Sequence, residues 1–326
     1  MTRLISIVSA FLVLVAPATV GAAGPHPNGP IVFAGASAKQ GRGLWAWGPG
    51  QKGLRQITNG PRDGDPQGSP DGRWVVFTRA LGTTPSGGVA SVAVFRARTD
   101  GSRIVQVTSG HYDRSPSFSP SGERILFARA ELGSGMARAA QLSSDEELTP
   151  EHIYSMRLDG TELQQLTTGS FSDRNPVFSP NGRVIAFERC PLNQGCHLFT
   201  MRPDGSSLRA ATPQLAAWST EPAFSPSGNR IVYARGYPGD STSDLFTIRP
   251  DGTGARRLTG YSGHPLGGVS SPSWSPDGTR VVFQATGAKS SKLQVVRVRD
   301  RRLVATLGGP RFRQLPNWRT PTWLRR

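Results

Sequence analysis

The chain has 326 residues, 38 Lys and Arg against 22 Asp and Glu, and a formal net charge of +16. A basic balance raises the question of nucleic acid. The arginines form no dense run and are spread along the whole chain, so a specific nucleic-acid partner is not expected; the charge reads as a solvated basic surface that adheres to anionic polymers or headgroups.

The first element, residues 1–23, reads as a secretory signal. A single basic residue, Arg3, precedes an apolar stretch from Leu4 to Val15, and Val20-Gly21-Ala22-Ala23 supplies small residues for cleavage. Pro17 and the small-residue exit argue against an uncleaved anchor, and no cysteine follows the stretch to take a lipid. The mature chain is expected to be exported, secreted or held in the periplasm or cell envelope, and not to span a membrane once the signal is removed.

From residue 24 onward one pattern recurs. Apolar runs end in Phe33, Phe77, Phe127, Phe187, Tyr233 and Phe283, at spacings of 44, 50, 60, 46 and 50 residues. The last five follow Ser-Pro-Asp/Ser/Asn-Gly, as in Ser69-Pro70-Asp71-Gly72 and Ser275-Pro276-Asp277-Gly278. Ser, Pro and Gly stand where a type I turn wants them, so each copy is a hairpin tip between short β-type runs. A second turn follows in each unit, Thr99-Asp100-Gly101, Leu158-Asp159-Gly160, Pro203-Asp204-Gly205 or Pro250-Asp251-Gly252. Two hairpins make four antiparallel strands, the content of a propeller blade.

The ends complete the count. Trp318-Arg319-Thr320-Pro321-Thr322-Trp323 repeats the pattern of Ser271-Pro272-Ser273-Trp274 without a hairpin partner after it, while Pro27-Asn28-Gly29 and Ile31-Val32-Phe33 resemble a blade lacking its first strand. The expected fold is therefore all-β: residues 24–326 form a six-bladed propeller of four-stranded antiparallel blades, closed by the C-terminal strand joining the N-terminal blade. Gly29 lies four residues before its aromatic rather than five, so the register there is open.

Both cysteines, Cys190 and Cys196, lie in one short loop and should pair in an oxidising compartment, a closure worth about 2 kcal/mol. A redox-active pair is disfavoured, because the spacing is not Cys-x-x-Cys.

Tight turns occupy one side of the disc, and loops of unequal length the other. The longest, from Glu131 to His152, carries the acidic Ser143-Ser144-Asp145-Glu146-Glu147 and reads either as a partner loop or as an insertion with no partner. The same side carries charged residues leading into each innermost strand: Asp63 and Asp65, Asp113-Arg114, Asp173-Arg174, Glu221 and Arg319. Two readings stand. Ring symmetry would gather these groups around the channel mouth to hold a peptide, a small polar ligand or a cation. Alternatively, each Asp caps its own loop and pairs with a neighbouring Arg. No metal site and no cofactor is expected; calcium through Asp63, Asp65, Asp113 and Asp173 is the one ion left open, without a continuous oxygen-ligand loop.

No catalytic residues are assigned, since the chain has no Gly-x-Ser-x-Gly, no His-Glu-x-x-His and no phosphate loop. His111, Tyr112 and His264 on the loop side, with the rim arginines, are what a lyase or hydrolase would have to use.

The repeat Pro-x-Phe/Trp-Ser-Pro-Asp/Ser-Gly-x-x-Ile/Val-x-Phe/Tyr, followed by Leu-Phe-x-Ile/Met-Arg-Pro-Asp-Gly and Leu-Thr, resembles the WD-like repeat of the TolB family from Pro27 to Trp323. The resemblance implies a six-bladed propeller of the bacterial envelope, and TolB itself binds a peptidoglycan-associated lipoprotein at its channel mouth. The matching positions are Asp113-Arg114-Ser115 and Asp173-Arg174-Asn175. The α/β domain that TolB carries before its propeller has no counterpart between the signal and the first blade, which sets coupling to a Tol-type system apart. The same repeats accompany prolyl-oligopeptidase-type hydrolases, and no hydrolase domain is seen. The functional expectation is an exported, non-catalytic, monomeric propeller that binds an envelope protein or peptide, a lipoprotein among them, or an envelope polymer. The alternative is a propeller enzyme acting on an envelope or extracellular polymer.

Overall fold

A computed structural model describes residues 28–37, 41–48, 54–83, 89–109, 111–130, 150–191, 195–213, 217–237, 240–261, 267–287, 291–307 and 319–325. The signal segment, the acidic stretch 143–147 and His264 lie outside the described residues.

Every described element is a strand. Hydrogen bonding sorts them into antiparallel sheets that follow chain order outward, as in Ser172–Phe178, Ile185–Cys190, His197–Met201 and Arg209–Ala210. The fold is an all-β propeller of such sheets. Four sheets have four strands, and one has eight. The sequence reads six separate blades; the eight-stranded sheet instead joins two four-strand meanders through one parallel bridge, Val92 to Tyr112, where Val92 N–H donates to His111 O at 2.8 Å. The link joins the strand Val89–Arg98 to the next innermost strand, Tyr112–Phe118; at the place equivalent to Val92, Ser243 bonds the neighbouring strand through its side chain, Val269 N–H donating to Ser243 Oγ at 2.7 Å.

Closure follows the expected route. Arg319–Arg325 pairs antiparallel with Asn28–Ser37, matching Ile31 to Trp323 and Val32 to Thr322. The open register at Gly29 is a real irregularity, falling between Asn28 and Ile31. Asn28 clasps the adjoining turn: its Nδ2 donates to Asp277 Oδ2 at 2.9 Å, and Asp277 N–H donates to Asn28 Oδ1 at 3.2 Å. Burial pushes the Asp277 pKa up, but hydrogen bonds from Ser275, Thr279 and Asn28 outweigh it and hold the carboxyl at about 2.

The six recurring aromatics are the centre of the packing. Phe33, Phe77, Phe127, Phe187, Tyr233 and Phe283 are all buried, and four of them pair with an aromatic on the third strand of the same meander, for example Phe77 with Phe95 at 5.8 Å between ring centroids. Such pairs add about 0.5–1.5 kcal/mol each beyond area burial. One copy of Pro-x-aromatic reads Pro66-Gln67-Gly68 instead. There Leu324 of the closing strand fills the space: a Cβ on Gly68 would stand 2.3 Å from Leu324 Cδ2.

Every innermost strand contains a proline, which cannot donate to a ladder and belongs on an edge. The edge it occupies faces the central channel. In all six of these strands the register slips at the proline, between Arg174 and Val177 for example. The residue before each proline takes up the slip with a positive φ: Asp65 47°, Ser115 50°, Asn175 49°, Glu221 55°, Ser271 51° and Thr320 45°. This left-handed bulge turns those side chains toward the axis.

Candidate functional site: the channel mouth

The six left-handed residues line one pocket at the end of the channel opposite the tight turns, together with the prolines that follow them; its volume is 130 Å³. The ring reads Asp65, Ser115, Asn175, Glu221, Ser271, Thr320. Two carboxylates face four neutral polar groups.

A hydrogen-bonded chain runs along part of the ring. Asn175 Nδ2 donates to Glu188 Oε1 at 2.8 Å, Glu221 N–H donates to Glu188 Oε2 at 3.1 Å, and Ser271 N–H donates to Glu221 Oε2 at 2.6 Å. Thr78 Oγ1 donates to Asp65 Oδ2 at 3.3 Å. Burial, with the neighbouring Glu221 charge, pushes the Glu188 pKa up to about 7. Glu221 is also raised, by burial first and then by Asp65, against the bonds from Ser271.

The structure divides the residues expected at the mouth. Asp65 and Glu221 line it. Asp63, Asp113 and Asp173 do not, and their carboxylates are fully buried within their own blades. Each stands directly across the first hairpin from an arginine, Asp63 from Arg79, Asp113 from Arg129 and Asp173 from Arg189. The pairs are two-pronged: Arg189 Nε and Nη2 reach Asp173 at 2.7 and 2.8 Å, and Arg129 reaches Asp113 at 2.6 and 2.9 Å. Aromatic rings surround the guanidinium; Arg189 lies 5.0 to 5.5 Å from Phe171, Phe187 and Phe199. Each of these three aspartates is thus paired with the arginine across its own hairpin. Among the described residues no group of three His, Cys, Asp or Glu is arranged to hold a metal.

Of the rim arginines, Arg114 is exposed, 5.4 Å from the Tyr112 ring centroid, and Arg174 pairs with the buried Glu151. Arg319 opens the closing strand, and its side chain lies outside the described residues. His111 is exposed and is not among the residues lining the mouth pocket.

A second hollow of 410 Å³ adjoins the mouth and shares Asn175 and Glu221 with it. Arg174, Glu188, Thr220 and Trp218 line it too, and Trp218 is 54% exposed. The Cys190–Cys196 disulfide borders this hollow, its Cα atoms 4.1 Å apart, and Ser219 N–H donates to Cys196 O at 2.8 Å beside it.

Ser115 and Asn175 stand in the two segments that the family resemblance matches, whereas Ser271 and Thr320 are not singled out by a reading that follows charge. The signal was present as the residue preceding each innermost-strand proline. Glu188 and Trp218 carry no repeat signature.

The geometry defines a β-propeller whose irregular-loop face holds a polar channel mouth. The chain belongs to the family described as TolB beta propeller domain, whose sequence profile matches residues 139–320. The structure is similar to that of TolB from Acinetobacter baumannii, with a TM-score of 0.69, 16% identity, and coverage of 92% of this chain and 68% of that one. It also resembles a putative TolB from Agrobacterium tumefaciens, with a TM-score of 0.57, 20% identity, and coverage of 76% and 87%. At these identities the likeness is one of fold. An uncharacterized protein of Agrobacterium fabrum, Atu1656, is 31% identical over 138 residues, 40% of this chain and 46% of that protein, so the match spans about half of the curated relative.

Proposed function

We propose that the chain is an exported, non-catalytic binding propeller that takes an envelope protein or peptide at its channel mouth. The observation that carries this reading is the convergence of six bulged side chains, one from each innermost strand, on a single polar opening. The opening is small. At 130 Å³ it falls well below the roughly 300–1,000 Å³ of ordinary small-molecule sites, and it suits one side chain or a chain terminus of a larger partner. The adjoining hollow, with exposed Trp218 and with Arg174, offers the flanking contact area a peptide needs.

The test is a mouth variant combining Asp65→Asn, Glu221→Gln, Arg114→Ala and Arg174→Ala, with folding confirmed by thermal melting. Crosslinking in an envelope extract should yield partners with the native chain and at least tenfold less with the variant. Equal yields would sink the reading. The enzyme alternative has one support, the buried Glu188 carboxyl near neutrality beside the hollow. Polymer turnover that disappears with Glu188→Gln would favour it.

A further inference from the structure

The opposite face holds the excess positive charge. Both turns of a blade lie at this end and are tied together, Thr99 N–H to Arg73 O at 2.9 Å and Leu158 N–H to Glu123 O at 3.0 Å. Arg98, Arg157 and Arg297 at the second turns are balanced by Asp100, Asp159 and Asp300. Asp204 lies near Arg202, and Asp251 near Arg249 and Arg209; beyond these, positive charge is supplied by Arg183, Arg209, Arg230, Arg256, Arg301 and Arg302, at the turn ends of three adjoining sheets. Among the described residues none of these six takes part in a salt bridge. Arg230 has like charges beside it: burial, then the charges of Arg256 and Arg249, pushes its pKa down.

Aliphatic side chains stand exposed at the same end. Ile104, Leu163, Leu208 and Leu303 occupy equivalent places where the outermost strands begin, and they are 38%, 49%, 45% and 49% exposed. Three of them adjoin an arginine in sequence, Arg103-Ile104, Leu208-Arg209 and Arg302-Leu303. A soluble polyanion would use the arginines and gain nothing from the leucines. A bilayer surface with anionic headgroups uses both, the guanidiniums at the phosphates and the aliphatic side chains at the acyl boundary.

We propose that the turn face docks on an anionic lipid surface, which leaves the channel mouth pointing away from the membrane. This inference stands apart from the identity of any mouth partner. Vesicle flotation of the mature chain tests it, with phosphatidylcholine alone and with phosphatidylcholine mixed with phosphatidylglycerol. The native chain should float only with the anionic vesicles. Arg209→Gln, Arg256→Gln and Arg302→Gln combined should weaken that binding on the order of a hundredfold, roughly fivefold for each arginine. Leu208→Ser with Leu303→Ser should weaken vesicle binding while leaving retention on dextran sulfate unchanged. A Glu221→Gln mouth variant should float as the native chain does. Equal binding to neutral vesicles, or no loss with the arginine variant, would overturn the proposal. An unchanged vesicle affinity in the leucine variant would also overturn it and mark the face as a site for soluble polyanions.

Discussion

Aspartates at the two ends of a blade look alike in sequence and do opposite work. At the turn end, Asp100, Asp159, Asp204 and Asp251 are exposed, and each accepts the backbone N–H two residues on, as Ser206 N–H donates to Asp204 at 2.9 Å. At the loop end, Asp63, Asp113 and Asp173 are sealed against a guanidinium inside the hairpin. Water separates the cases. A carboxylate that keeps its hydration trims a turn, whereas one that loses it must be matched by a partner that would itself be stranded without it.

Breaking the buried pair should give the largest effect. Asp173→Ala leaves Arg189, 10% exposed, among three aromatic rings, and should cost about 3–5 kcal/mol in urea unfolding. Adding Arg189→Met should recover most of that loss. A cost below 1 kcal/mol for Asp173→Ala would show that the pair is not sealed.

The mouth gives a smaller, pH-dependent effect. The Glu188 pKa is raised in the folded chain, so its contribution to stability is fully present below the unfolded value of 4.5 and is lost as pH rises through about 7. Melting temperature compared between pH 5 and pH 8 should fall in the native chain and fall less with Glu188→Gln. Parallel pH profiles would contradict the assignment. At the turn end, Asp204→Ala should leave the melting temperature unresolved from the native value, and a clear drop would erase the contrast between the two ends.

The contrast also measures how much of the site could be read ahead of the structure. Asp63 and Asp65 stand two residues apart and were read as one group, yet the bulge at Pro66 turns one into the blade and the other to the axis. Pleat alternation alone places them on the same side of a strand. Only the left-handed φ at Asp65 separates them. The 16-residue spacing from Asp63 to Arg79, from Asp113 to Arg129 and from Asp173 to Arg189 was a readable sign of cross-strand pairing, because a hairpin of constant length sets a constant register. The bridge between Val92 and Tyr112 had no such sign, since it rests on a single main-chain contact between neighbouring meanders.

By itself the sequence determined the repeat, the hairpin turns, the buried aromatics, ring closure by the terminal strand and the pairing of the two cysteines. All of these are short-range or periodic, set by the φ preferences of Pro and Gly and by the apolar alternation of strands. The tertiary structure decided which polar side chains meet. It turned Asp113 and Asp173 inward, gathered Ser115, Asn175 and Thr320 with Asp65 and Glu221 at one opening, and left arginines that make no salt bridge among the described residues at the other end. The reason is physical: burial and opposite charge are properties of the space between strands, and residues up to 255 positions apart, from Asp65 to Thr320, share that space only once the ring is closed.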